Sequence, residues 1–384
     1  MTDWKPTKVI KECDVIGDSD SRWRIEFAKP VVCATVSHNG KYYAVLTEDD
    51  TLYVKDTDDE KWSVFKQPRV AFCRHAEVYA LRNLGMVSHK SVLGITMSVS
   101  NEGSVAVAVT LTYYSTRLWF IGSPKEEHTT VEKIDFEPIG SYRPKQYEFD
   151  PEDDHKIWFV FGNSFMEWDA DTDIVGIIFD MPLLSSSCVG THIVSGKKNV
   201  IFYCDNNVLV SQTPEETNVA VSGLTRQSVI PPITSPDGQY ILVANNDAVG
   251  INTVVFDTRR GLFITFQGRT SNDDYVAVAI TDLGLVVESE LVFVNNKATG
   301  SRILVTDLVH NRESYVVQTA NAPVGNIISN IRLVDHPERV MGLLLTYRGP
   351  NSNYVDFVYL NRLGQETLKW TTTHLDQNDE SECE

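Results

Sequence analysis

The 384-residue sequence contains no C-x-x-C pair, and its six cysteines (Cys13, Cys33, Cys73, Cys188, Cys204 and Cys383) lie at wide, irregular spacings. That spacing excludes a cysteine-based zinc framework and gives no support to a disulfide scaffold. It fits buried thiols in a reducing compartment. No run reaches the roughly 18 apolar residues that a bilayer span needs, and the opening "MTDWKPTKVIKECDVIGDSDS" lacks the apolar centre of a secretory signal. The expectation is a soluble intracellular protein, cytoplasmic or nuclear. Positive charge is also scarce, with 34 Lys and Arg against 52 Asp and Glu and a net charge of −18. Phosphate backbones are bound mainly by cationic neutralisation, so this balance argues against nucleic acid as a general partner. It favours solubility and partners with basic surfaces.

Catalytic signatures are missing as well. There is no G-x-S-x-G elbow, H-E-x-x-H, P-loop or G-x-G-x-x-G after a strand. The nine histidines are scattered, and His75 beside Cys73 is too small a ligand set for zinc. The acidic stretches "DTDDE" (56–60), "DPEDD" (150–154) and "DADTD" (169–173) lack the central Gly and terminal Glu of an EF-hand loop. Acidic β-turns explain them, because Asp satisfies turn backbone groups directly. Neither cofactor nor metal is expected, and the chain is read as noncatalytic.

What the sequence does have is apolar material, 42% hydrophobic and 10% aromatic, which is enough for a large core. It is arranged as a repeat. Polar turns read "SHNG" (37–40), "SNEG" (100–103), "DPEDD" (150–154), "SGKKN" (195–199), "SPDG" (235–238), "TDLG" (281–284) and "DHPE" (335–338). Each precedes a run such as "KYYAVLT", "SVAVAVTLTYY" or "QYILVAN", rich in β-branched and aromatic residues and apolar on both faces, as an interior strand should be. A closing run follows each and ends at Asp56, Ile121, Asp169, Gln212, Asp257, Asp307 and Leu360. After a first interval of 65 residues the spacing runs from 43 to 53, near the period of a four-stranded propeller blade. A repeated strand-turn-strand unit cannot bury both faces alone, whereas sheets stacked radially bury them against neighbours. The predicted fold is all-β, a seven-bladed β-propeller. The division of the long first interval and of the two ends leaves the blade count open.

"SPDGQYILVAN…TVVFDTRRG" and "SHNGKYYAVLTEDDTLYVKDTDDEKW" resemble the WD40-repeat family, over about residues 22 to 373. "EWD" at Glu167–Asp169 reproduces that family's strand ending, while "LWF" at Leu118–Phe120 and "VFD" at Val255–Asp257 approximate it. The Gly-His signature that opens such repeats is absent. The resemblance implies a scaffold for protein–protein interaction, a subunit of a larger multiprotein assembly. Single-propeller members of that kind include nuclear-pore outer-ring, chromatin, ubiquitin-ligase and trafficking components. A divergent propeller with an insertion would suit a structural subunit such as a nucleoporin.

Four boundaries follow: an N-terminal arm (1–21), a single propeller (22–373), an insertion within it (66–91) and an acidic tail (374–384) predicted to be disordered. "RWRIEFA" at Arg22–Ala28 alternates like a half-buried strand and is a candidate to close the ring, in competition with "ETLKWTT" (366–372). The insertion has helical spacing at Val78, Leu81 and Leu84 and a stop at Gly85. It carries Lys66, Arg69, Arg74, Arg82 and Lys90 against Glu77 alone. These five cations, with the loop aromatic Tyr142, are the candidate partner-binding residues. An acidic partner, or a phosphate-bearing ligand such as RNA or phospholipid, is the alternative occupant of 66–90. A third reading places an enzyme site at the channel mouth, built from groups distant in sequence.

Overall fold

The computed structural model describes residues 8–11, 22–59, 61–66, 95–110, 116–125, 131–136, 145–181, 191–193, 201–205, 208–215, 217–222, 233–247, 250–270, 278–295, 297–307, 315–317, 325–336, 339–349, 352–360 and 370–374. All regular elements among them are β-strands. In chain order β1 (Lys8–Lys11) and β2 (Arg22–Glu26) precede a sheet made of β3 (Val31–Val36), β4 (Tyr42–Thr47), β5 (Thr51–Asp56) and β6 (Lys61–Lys66). The second sheet holds β7 (Ile95–Val99), β8 (Val105–Thr110), β9 (Thr116–Ile121) and β10 (Val131–Phe136). The third holds β11 (Lys145–Asp150), β12 (Asp153–Phe161), β13 (Ser164–Asp169) and β14 (Ile174–Asp180).

The fourth sheet is β15 (Thr191–Ile193), β16 (Ile201–Asp205), β17 (Val208–Gln212) and β18 (Thr217–Ser222). The fifth is β19 (Ile233–Thr234), β20 (Tyr240–Asp247), β21 (Gly250–Asp257) and β22 (Leu262–Thr270). The sixth is β23 (Val278–Ile280), β24 (Leu285–Val294), β25 (Lys297–Asp307) and β26 (Tyr315–Val317). β27 (Ile327–His336), β28 (Arg339–Arg348), β29 (Tyr354–Leu360) and β30 (Trp370–His374) complete the list together with β2. The described strands thus form seven sheets, each built on consecutive antiparallel strands, whose first strand neighbours first strands of adjoining sheets: β3 by β7, β7 by β11, β11 by β15, β19 by β23, β23 by β27 and β27 by β3.

The stacked sheets explain why the second strands are apolar on both faces. Tyr42, Ala44 and Leu46 of β4 join one core shared with β7, β8 and β9, while Tyr43 and Val45 join another shared with β2, β28 and β29. β8 does the same, Val105, Val107 and Val109 facing the first sheet and Ala106 and Ala108 the third. The period-2 alternation of a strand sends alternate side chains to two different neighbours, and both are dry. The innermost position belongs to the first strand of each sheet, so the apolar runs lie one strand out from the axis.

The repeated turns are held by one device. Ser37, Ser100, Ser235 and Thr281 each accept, through the side-chain hydroxyl, the backbone N–H of Tyr42, Ser104, Tyr240 and Leu285 respectively, at 2.9 to 3.1 Å. Gly40, Gly103, Gly238 and Gly284 follow three residues on, all with positive φ, which glycine adopts without steric cost. Gly103 carries a second constraint, because a Cβ there would lie 2.8 Å from two ring carbons of Tyr42. Gly103→Ala is expected to cost on the order of 1–3 kcal/mol from the left-handed backbone, with the ring clash added, and a lowered urea midpoint with unchanged slope would show it.

Ring closure falls to β2. It pairs antiparallel with β29 (Trp23↔Phe357, Ile25↔Val355) and takes the fourth place in the last sheet. β30 is a fifth, outer strand parallel to β2, which settles the competition between the two candidate segments. β1, within the expected N-terminal arm, adds antiparallel to β6. The insertion 66–91 lies outside the described residues except for Lys66, the last residue of β6, so its predicted helix does too. The tail 374–384 also lies outside them, apart from His374, which ends β30.

Candidate functional site

The turn side of the ring is knitted across sheets by the same polar turns. Asn39 N–H donates to Asn101 Oδ1 at 3.0 Å and Asn39 Nδ2 to the Asn101 carbonyl at 3.2 Å. Asp237 N–H donates to Asp282 Oδ1 at 2.8 Å, and Ser104 Oγ to Asp154 Oδ2 at 2.8 Å. Lys125 pairs with Asp56 and stands over the Tyr42 ring, 5.4 Å from its centroid. The hydrogen bonds to Asp56 and Tyr42 raise the Lys125 ammonium above its usual range. The acidic stretches act here as turns, as expected: Asp56, Asp150 and Asp169 each accept backbone N–H groups two or three residues on, and Asp257 does the same in the turn after β21.

The axial wall carries the groups that a channel-mouth enzyme would need to use. Cys33 lies on β3, Ser98 on β7, Glu148 on β11 and Arg332 on β27, all first strands. Burial pushes the Cys33 thiol up, opposed by the positive charge of Arg332 and a backbone hydrogen bond at Met97. Burial likewise pushes the Glu148 carboxyl up, opposed by Arg332 and by Ser98, whose hydroxyl donates to Glu148 Oε2 at 3.2 Å. One guanidinium is thus felt on two other sheets, while Cys33 and Glu148 remain partly accessible to solvent. A thiol raised by burial is a poor nucleophile. Glu148 accepts from the Ser98 hydroxyl and feels the positive charge of Arg332. Among the described residues no group of three His, Cys, Asp or Glu side chains could hold a metal ion.

The outer edges of the sheets differ in a way that bears on partners. β6 and β2 are covered by β1 and β30. The exposed positions of β10 are Lys133 and Asp135, charges of the kind that blunt an edge. β14 ends its sheet and instead exposes Ile174 and Ile177, at 63% and 60%, with Gly176 between them. Its inner side is firmly set by Trp168, Phe165 and Phe179, with a register shift opposite Phe165/Met166. The preceding turn is fixed by Asp169, which accepts the N–H of Asp171 and Thr172, and by Asp173, which accepts from Trp168 Nε1 at 3.2 Å.

Of the candidates read from sequence, Arg69, Arg74, Arg82, Lys90 and Tyr142 lie outside the described residues, and Lys66 is placed only as the last residue of β6. Ile174 and Ile177 were not among them. The signal was present in "DIVGIIFD", a run with too many apolar residues for an outer strand, but fourth strands carry no shared turn or ending and so do not align with one another.

No family model and no curated protein matches the chain. Its described architecture is similar to a solved structure, the β-propeller domain of Cps50 (Swd1) from Myceliophteria thermophila. The likeness has a TM-score of 0.53 at 13% identity and covers 87% of this chain and 98% of that one. At that identity the shared property is the fold. No helix of the described residues is long and apolar enough to cross a membrane.

Proposed function

We propose that this chain, a divergent WD40-like β-propeller, is a noncatalytic protein-interaction scaffold and a subunit of a larger assembly. In this reading the seven sheets are seven blades of a single ring over residues 22–373. The observation that carries it is the exposed apolar edge of β14, which no strand covers among the described residues. Large apolar side chains left in water on a rigid element are the mark of a surface meant to be covered. The fold supplies the rest: loops and strand edges held by a rigid core offer several faces at once.

Recovery of the tagged full-length chain from its native cell, with mass spectrometry and size measurement, tests this. Stoichiometric protein partners that survive moderate salt are expected. Elution as a lone 43.2 kDa monomer would overturn the scaffold. Retained RNA or phospholipid that is lost on charge reversal at Arg69, Arg74 and Arg82 would replace it with the phosphate-ligand alternative.

A further inference from the structure

We infer that the open edge of β14 receives an extended segment of a partner protein as an added strand, and that this segment is apolar at its centre and flanked by Lys or Arg. The inference rests on the scaffold reading and names the chemistry of one of its partners.

Strand addition is already in use in this molecule. Both chain ends extend a sheet beyond its four strands, β1 running antiparallel along β6 and β30 parallel along β2. An edge strand presents a row of outward N–H and C=O groups, and a docked strand completes that row. β14 is a described outer edge where such addition would also bury apolar surface, at Ile174 and Ile177. Gly176 lies between them with no positive φ to require glycine, and a Cβ there would meet nothing within 4 Å. A strand glycine without an internal reason fits a place where another backbone comes close.

Charge decides between occupants. The β13–β14 hairpin, residues 164–180, carries Glu167, Asp169, Asp171, Asp173 and Asp180 and no Lys or Arg. The acids sit at both ends of the apolar stretch, Asp171 and Asp173 before Ile174 and Asp180 after Ile177. A second copy of the same edge would bring like charges together, whereas a segment with cations at both ends is attracted. The chain's own added strand on β6 has that pattern, Lys8-Val9-Ile10-Lys11. Main-chain bonds would give the contact its affinity, the two isoleucines an apolar contact on each face of the strand, and the flanking carboxylates its choice of partner.

The test uses the full-length protein and two labelled synthetic peptides, one centred on Lys-Val-Ile-Lys and one with both lysines replaced by Glu. Fluorescence anisotropy should show binding of the first that weakens as salt rises, and at least about tenfold weaker binding of the second, a gap of about 1.4 kcal/mol. Amide exchange should slow at 174–180 in the bound protein. The double variant Ile174→Glu/Ile177→Glu should lose the peptide while keeping its urea midpoint, since both side chains are exposed. Equal binding of the acidic peptide, or protection at 61–66 instead of 174–180, would overturn the inference. So would concentration-dependent self-association abolished by the double variant, which would identify a second copy as the occupant. If the double variant does not fold, the exchange pattern of the wild-type protein still decides. Partners recovered from cells equally by wild type and double variant would remove this edge and leave the scaffold standing. Protection at 174–180 with no cellular partner would do the reverse.

Discussion

Asp356→Ala is expected to destabilise the folded ring by about 3–5 kcal/mol, the cost of removing one member of a buried ion pair. Asp356 is fully buried on β29, and Arg24 opposite it on β2 is only 8% exposed. Arg24 Nε donates to Asp356 Oδ1 at 2.7 Å and its terminal nitrogen to Oδ2 at 2.9 Å, while Tyr347 O–H donates to the same Oδ2 at 2.6 Å. The guanidinium also lies 3.9 Å from the centre of the Tyr354 ring, whose hydroxyl accepts from Asn326 Nδ2 at 3.0 Å. Burial raises the phenols of both tyrosines, that of Tyr354 to about 12, so at neutral pH both stay protonated, Tyr347 donating to the carboxylate and Tyr354 accepting from the amide.

Alanine at 356 leaves a buried cation without either acceptor and a buried phenol without its partner. The loss should appear as a drop in urea midpoint and as faster amide exchange at 22–26, because β2 is the strand being released. The companion double variant Arg24→Met/Asp356→Leu separates charge from packing. Removing both charges should recover most of the loss, and a double variant as unstable as Asp356→Ala would show that the uncompensated charge is not what costs.

Trp62→Ala should have an effect of the same size, about 3–5 kcal/mol for truncating a fully buried tryptophan, and for a different reason. Trp62 of β6 is 0% exposed and packs edge-on against Phe27 and Tyr53, with ring centroids 6.0 and 6.4 Å away. Phe27 follows β2 directly, and its N–H donates to the Asn353 carbonyl at 2.7 Å. The cluster therefore joins the first sheet to the last across the closure, with Ile25, Leu344, Val355 and Phe357 in the same core. Removing the indole leaves a cavity that the rigid neighbouring sheets cannot collapse to fill. Urea unfolding should show the loss. Amide exchange should again speed at 22–26 while the distant β24 and β25 keep their relative protection, unless the ring unfolds only as a whole.

Much of the fold was legible because its devices are local. "SHNG", "SNEG", "SPDG" and "TDLG" repeat since each turn needs a hydroxyl to accept a backbone N–H and a glycine at positive φ, requirements met within five residues. Asp56, Asp169 and Asp257 recur at the ends of third strands because a carboxylate there caps the next turn. The two-faced apolar runs "YYAVLT" and "VAVAVT" announced sheets stacked on both sides. The open edge was not legible in the same way. Whether Ile174 is covered depends on which strand lies beside β14, and that neighbour is set by no residue of β14 itself.

An all-β chain of repeated strand-turn-strand units, its turn chemistry and the poverty of catalytic motifs could be read from the residues alone, since period-2 patterning and turn bonds act over a few residues. Tertiary structure alone decided that β2 rather than β30 takes the fourth place in the last sheet. It also decided that Arg24 meets Asp356 across 332 residues of chain, and that Arg332 is felt by both Cys33 and Glu148. It left Ile174 and Ile177 in water. These are consequences of closing a ring: closure brings the two ends of the chain and the first strands of separate sheets together, and local sequence has no term for a partner that arrives from the far end.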